Sequence, residues 1–310
     1  VTPVPGRIIL GDRPIGEITI EAVEEWARAC RRTGMKPASV QKWGRHLSQC
    51  MAWAVARGYI PTNPVDGAVL VPRGSVADTR PKRYFLTLRE MIRLAETTPI
   101  ESRTLMETLL WSGCRQGEIR AISPGDLIHQ PGAMLAIRHS ISDNGGAPTL
   151  GPTKTRGSRR RVAIPRGLMI DLGEDAAHTG VQGEPLFRSP ASRSWMRGDD
   201  LNTWWREQCN AAGLVGDPND RHEGRRKPPT PHDARATGAS LLLAAGAGVP
   251  EVQAWLGHTT PEMTLRLYTE VEEWGAEDPI LRACRAEGLT VAEILDRVYE
   301  EAWRVYGQQS

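Results

Sequence analysis

The run PRGSVADTRPKR at residues 72–83 most constrains what this chain can fold into. Its two prolines lack an N–H and fix φ, so neither a helix nor a central strand passes through it. It is polar and shows no apolar period, and it reads as a linker spanning residues 72–86. A chain of 310 residues is long enough to bury a core on each side. The N-terminal side, residues 1–71, reads as a small helical unit. Thr19 suits the N-cap of a first helix, with Glu21 in its first turn and Val23, Trp26 and Ala27 on one face. A second helix is expected after Ser39. There Val40, Trp43, Leu47, Met51 and Ala54 make one apolar stripe, and Gly58 suits the position just past the end. Trp26 and Trp43, with Trp204 further on, are read as core rather than as base-stacking platforms.

Beyond the linker, Thr87 and Glu90 have capping-box spacing ahead of Met91 and Leu94. A helix over residues 102–112 carries Leu105, Met106, Leu109 and Leu110, and Gly113 ends it. The period then changes from helical to alternating. Residues 134–141, 149–155 and 159–164 read as short strands, separated by glycine turns at 144–146 and 156–158. Helices resume after Pro165, with segments at 199–212, 236–245, 250–256, 261–268 and 291–303, and a long basic loop at 215–231. The expected fold is mainly α with a small antiparallel β-sheet (α+β). A larger domain occupies residues 87–275, and an acidic tail helix occupies 276–310.

Composition excludes several classes. Apolar residues are 40% and charged residues 25%, as in globular proteins, and no apolar run approaches the roughly 20 residues a membrane-spanning helix needs. The five cysteines are scattered and form no CxxC pair, which favours buried thiols over a disulfide framework or zinc site. From residue 270 on, ten acidic side chains face four basic ones. With a net charge of +2, that leaves the preceding 269 residues at +8. A basic body beside an acidic tail suits a polyanionic ligand.

Four segments carry candidate chemistry: SGCRQGEIRAI at 112–122, PTKT at 152–155, PHDARAT at 231–237 and LGHTTPEMTLRLY at 256–268. In this order and spacing they resemble the tyrosine recombinases, the lambda-integrase family. That family's first box, T/S-G-x-R-x-x-E-h-x-x-h, is matched by Ser112, Gly113, Arg115, Glu118, Ile119 and Ile122. Its hairpin lysine is matched by Lys154. Its H-x-x-R box is matched by His232 and Arg235, and its L-G-H box by Leu256, Gly257 and His258, with Tyr268 ten residues further on. Residues 1–71 are similar to the family's core-binding domain, whose closing G-x-I-x-x-N-P pattern is matched from Gly58 to Pro64. Ala234 and Ala236 depart from the usual Leu and His of the second box. No histidine follows Tyr268 closely, and no arm-type DNA-binding domain is read upstream.

The resemblance implies a phage-type integrase, and phosphate chemistry explains the residue types. A phosphodiester is an anion, so Arg115 and Arg235 would hold its non-bridging oxygens with paired donors, and His258 would add another. Tyr268 would attack phosphorus to form a 3′-phosphotyrosyl link, with His232 as the base that accepts the phenolic proton. Lys154 would protonate the leaving 5′-oxygen, and Glu118 would orient the site. Arg156, Arg159, Arg160 and Arg161, which crowd the same hairpin, would grip DNA phosphates. No cofactor or metal is expected. The expected partners are double-stranded DNA, three further copies of the chain in a tetramer on two sites, and DNA-bending accessory proteins, in a bacterial cytoplasm. The alternatives are a type IB topoisomerase-like enzyme and a DNA-binding protein that has lost catalysis. Val291, Ile294, Leu295, Val298 and Ala302 give the last helix an apolar face. This face is expected to dock on a neighbouring protomer, against the alternative of folding back on its own domain.

Overall fold

The structure, a computed structural model, describes residues 10–72, 84–143, 146–153, 158–179, 183–189, 194–214, 228–258 and 278–307. The chain divides into two compact units, Val1–Lys82 and Arg83–Ser310, with the division inside the expected linker. The linker residues 73–83, the turn residues 144–145 and 156–157, most of the basic loop and the segment 261–268 lie outside the described residues.

In the first unit, α1 (Ile20–Arg32) is capped by Thr19, whose side chain accepts from Ala22 N–H at 3.3 Å. Helix α2 (Pro37–Ala56) starts three residues ahead of the sequence expectation, because Pro37 is well placed at N1, where its missing N–H has no partner to lose. Their shared core holds Val23, Trp26, Ala27, Cys30, Val40, Met51 and Ala54. Trp43 is not part of it and is 53% exposed. The buried stripe runs instead through Gly44, where Leu70 lies so close that an added Cβ would sit 2.1 Å from its Cδ1. Asn63 fastens the following turn: its Nδ2 donates to Ser48 Oγ at 3.0 Å and Asp66 Oδ1 at 2.9 Å, and its Oδ1 accepts from Val65 N–H at 3.1 Å.

The second unit is mainly helical with two small antiparallel sheets. Helix α3 (Leu88–Thr97) opens on the Thr87–Glu90 capping box. Helix α4 (Ile100–Trp111) runs through the middle of the core, and the short α5 (Gln116–Ile119) follows a tight turn. The expected strand over 134–141 is two. β1 (Leu127–Ile128), β2 (Met134–Ile137) and β5 (Arg160–Ala163) form one sheet in the order β1-β2-β5. β3 (His139–Ser142) and β4 (Thr149–Pro152) form the other. Between them Arg138 turns outward to pair with Asp126 at 2.6 Å and the Gly125 carbonyl at 3.0 Å, which breaks the run. There follow α6 (Arg166–Thr179), α7 (Gly198–Ala211), α8 (Pro231–Ala244), α9 (Val249–Leu256), α10 (Pro279–Glu287) and α11 (Val291–Tyr306). Helix α8 begins at Pro231, not Ala236, because Thr230 and Asp233 form a capping box that the sequence reading passed over. Trp204, read as core, is half-buried, while its neighbour Trp205 is fully enclosed.

The acidic C-terminal segment is not an appended tail. Ile280, Leu281, Cys284, Ile294, Leu295, Val298, Tyr299 and Ala302 belong to the core of the second unit, and α11 packs on α3, α6 and α8. Docking of this face on a neighbouring protomer is therefore corrected: the chain buries it against itself, and its acidic side chains form the outer face. The Tyr299 hydroxyl donates to Glu107 Oε2 at 2.9 Å, which fastens α11 to the middle of α4. The Tyr299 ring also meets Trp111 edge-on at 5.4 Å.

Burial pushes the Glu107 carboxyl up to about 7; nearby Asp171 adds to this, while the Tyr299 hydrogen bond and Arg103 oppose it. The folded state then binds more protons than the unfolded chain from about pH 4.5 to about pH 7, so stability falls as pH rises through that window. Glu107→Gln keeps an acceptor for Tyr299 and does not titrate. Denaturant unfolding of both proteins across this window should show wild type losing on the order of 3 kcal/mol relative to the variant. A difference that stays constant with pH would refute a buried, proton-binding Glu107.

Candidate active site

Helix α4 ends at Trp111 with Ser112 as its C-cap, and Gly113 reverses the chain at φ +59°, a left-handed conformation. A Cβ at Gly113 would lie 2.1 Å from the ring of Trp255, so glycine is required twice over. The turn delivers Arg115 to the start of α5. Glu118 closes that turn: its Oε2 accepts the Arg115 backbone N–H at 2.8 Å and its Oε1 accepts Arg115 Nη1 at 2.8 Å. Arg160, at the start of β5, donates to the same carboxylate through Nη1 at 3.2 Å and Nη2 at 3.0 Å.

The carbonyls at a helix C-terminus lack partners within the helix and form its negative end. Helix α9 meets three guanidinium groups there. Arg160 Nε donates to Trp255 O at 2.9 Å, Arg235 Nη2 to Leu256 O at 2.8 Å, and Arg115 Nη2 to Gly257 O at 3.2 Å. Arg235 Nη1 also donates to Gly113 O. His258 follows directly; its N–H donates to Gln253 O at 3.1 Å, and its side chain is half-buried. The Trp255 ring fills the space between these segments. Its Nε1 donates to Ala163 O at 2.9 Å, and a Cβ at Gly238 of α8 would approach it to 3.0 Å.

Electrostatics follow from this packing. Arg235 is 4% exposed. Burial, then repulsion from Arg115 and Arg160, pushes its pKa down to about 10, which leaves it charged at neutral pH. Burial alone would raise the Glu118 carboxyl, but Arg160 and Arg115 outweigh it and hold the pKa below the usual carboxylate value. Three cations thus share one buried carboxylate and one helix end. The surplus is positive, which makes the cluster a site for an anion.

The structure brings Arg115, Glu118, Arg235 and His258 together at the end of α9. His232 lies exposed on the first turn of α8, three residues ahead of Arg235. Lys154, Arg156 and Tyr268 lie outside the described residues. Arg159 and Arg161 are exposed, whereas the Arg160 side chain is 7% exposed and serves Glu118 and α9 rather than the hairpin surface. Strand alternation explains the difference: Arg160 shares the inward face with Val162, and that pattern was available in the sequence. Trp255 was also missed, although it immediately precedes the L-G-H box.

Residues 85–273 match the phage integrase family. The integrase of Mycobacterium phage D29 is 26% identical over 83% of this chain, and that of Mycobacterium phage L5 is 28% identical over 83%. The chain spans 65% of the length of each of these two relatives. Among solved structures, the Tn1549 transposon integrase in complex with transposon right end DNA superimposes with a TM-score of 0.68, at 20% identity over 91% of this chain and 90% of that one. A lambda integrase dimer bound to a COC′ core site gives 0.60, at 20% identity over 88% and 87%. A lambda integrase tetramer bound to a Holliday junction gives 0.58, at 20% identity over 84% and 67%. At these identities the structures show a shared fold.

Glu118→Ala strands Arg160 as an unpaired buried charge. It should cost roughly 3–5 kcal/mol in denaturant unfolding, the range for breaking a buried ion pair. Adding Arg160→Met removes the stranded charge and should restore part of that loss, so the double variant is more stable than the sum of the singles. Strict additivity would show that the two side chains are not a pair.

Proposed function

The chain belongs to the phage integrase family, and from that premise we propose that it is a tyrosine site-specific recombinase that integrates or excises a mobile DNA element. One observation carries the reading: two arginines 120 positions apart, Arg115 and Arg235, are anchored on consecutive carbonyls of one helix end, beside His258. Each guanidinium has five N–H donors and the bonds above use two, so donors remain to meet a phosphate. Arg115 is 41% exposed and can reach one.

In the proposed reaction the Tyr268 oxygen attacks the scissile phosphorus and its phenolic proton passes to His232. The bond from phosphorus to the 5′-oxygen breaks, and that oxygen takes a proton from the Lys154 ammonium. The products are a 3′-phosphotyrosyl link and a free 5′-hydroxyl. Attack by a 5′-hydroxyl of the second duplex reverses these steps and rejoins the strands. One ester replaces another, so the energy of the bond is kept and no nucleotide triphosphate is needed. Arg115, Arg235 and His258 stabilise the charge that develops on the non-bridging oxygens.

The first unit is proposed to hold the DNA as a core-binding unit. Between Trp26 and Val65 the sequence has seven Arg and Lys residues and no Asp or Glu. Trp43 and Trp53 are exposed on α2, with the Arg57 guanidinium 4.2 Å over the Trp53 ring. Exposed Arg159 and Arg161, with Arg156, are proposed as phosphate contacts. Four copies would act on two duplexes, a proposal supported by the lambda integrase tetramer on its junction. Accessory bending proteins are part of the same proposal.

A nicked duplex carrying the recombination site tests the chemistry. Wild type should become covalently attached to it, while Tyr268→Phe should bind the DNA with similar affinity and form no adduct. An adduct with the Phe variant would assign the nucleophile elsewhere. Arg115→Ala and Arg235→Ala should each slow cleavage on saturating DNA by about 10²–10³-fold, the loss expected when one oxyanion donor is removed. Cleavage with relaxation, but without strand exchange between two duplexes, would overturn the recombinase reading.

A further inference from the structure

The turn that carries Arg115 and Glu118 has a second side. Arg120, one residue beyond α5 and 4% exposed, donates through Nη1 to Asp143 Oδ1 at 3.0 Å and to Met196 O at 3.0 Å, and through Nη2 to Ile141 O at 3.2 Å. Asp143 Oδ2 in turn accepts from Gly198 N–H, at the start of α7, at 3.1 Å. Gly117, inside α5, lies so near β3 that an added Cβ would fall 2.6 Å from Ser140 Oγ and 2.7 Å from Ile141 O. These contacts fasten β3, and β3 carries β4 through the register His139↔Pro152 to Ser142↔Thr149.

Such fastening matters because β3 and β4 form a sheet of their own. A two-stranded hairpin is marginal by itself, and β4 is largely exposed, so its place is set by what holds β3. Lys154 follows β4 by two positions in the sequence. Six positions later Arg160 opens β5 and pairs with Glu118. The chain on both sides of Lys154 is thus tied to the same turn, by Arg120 and Asp143 on one side and by Arg160 on the other.

We propose that Arg120 and Asp143 are positioning residues for the general acid, acting through the β3–β4 hairpin that precedes Lys154 in the sequence. The bland alternative is a buried ion pair that serves stability alone, as many do. The two differ in chemistry. A misplaced acid slows departure of the 5′-oxygen, and it ceases to matter when the leaving atom needs no proton. The inference rests on the assignment of Lys154 as that acid.

The test uses the full chain, Asp143→Ala and Asp143→Asn, with Lys154→Ala as control. Each is assayed on a nicked site with either an ordinary scissile phosphate or one whose 5′-bridging oxygen is sulfur, which leaves as a thiolate. Asp143→Ala should cleave the ordinary substrate about 10–100-fold more slowly than wild type, part of the 10²–10⁴-fold that a positioned acid supplies. On the sulfur substrate it should cleave within about threefold of wild type, with DNA affinity likewise near wild type. Asp143→Asn, which keeps the side-chain shape and an acceptor, should show the same pattern with a smaller loss and serves if the Ala variant does not fold. If Lys154→Ala is rescued by sulfur but the Asp143 variants are equally slow on both substrates, Asp143 is structural and the inference fails alone. Wild-type rates in both Asp143 variants on the ordinary phosphate also overturn it. If Lys154→Ala itself is not rescued, the acid assignment fails and takes the inference with it.

Discussion

Everything in the candidate site hangs on the three carbonyls that end α9. Trp255, Leu256 and Gly257 each present an oxygen to a different guanidinium, so three arginines from three distant segments share one anchor. Like charges at such range repel, and burial makes the repulsion stronger. The helix end and Glu118 offset it in part, and what they leave uncompensated is the attraction for an anion. Glu118 therefore does more than pair with Arg115. It permits Arg160 to be buried and so allows β5 to meet α9.

Packing reinforces the same point from the apolar side. The Trp255 ring touches the space that side chains at Gly113 and Gly238 would occupy, so the first box, α8 and β5 converge on one indole. Helices α10 and α11 contribute to the same core, with Tyr299 reaching Glu107 in α4. Since α4 leads directly into Gly113 and Arg115, the C-terminal helices are mechanically continuous with the site although no residue of theirs is assigned to it.

Much of this was legible because local rules and tertiary packing agreed. Thr87 with Glu90, the helical face of Val291 to Ala302, and Gly58 past the end of α2 are each decided within one or two turns of chain. Family membership was legible through the order and spacing of four short segments. What failed depended on distant partners. Trp43 lies on a good apolar stripe, but Leu70 selects Gly44 as the buried position, and nothing near Trp43 announces that. Arg160 looks like one more hairpin cation until Glu118 and the end of α9 are placed beside it. The apolar face of α11 was read correctly as buried; whether its own domain or another copy covers it is a question that helical periodicity does not address.

The spread of these partners along the chain has a consequence for synthesis. Arg115 meets Gly257 across 142 positions, Arg235 meets Gly113 across 122, and Arg160 meets Trp255 across 95. Loops of that length close late, and a ribosome releases the N-terminal side first. For most of translation the nascent polypeptide holds its arginines without the α9 carbonyls that orient them. The anion site comes into being only when α9 has emerged and folded, so an unfinished chain carries the charges of the site without the arrangement that makes them act together.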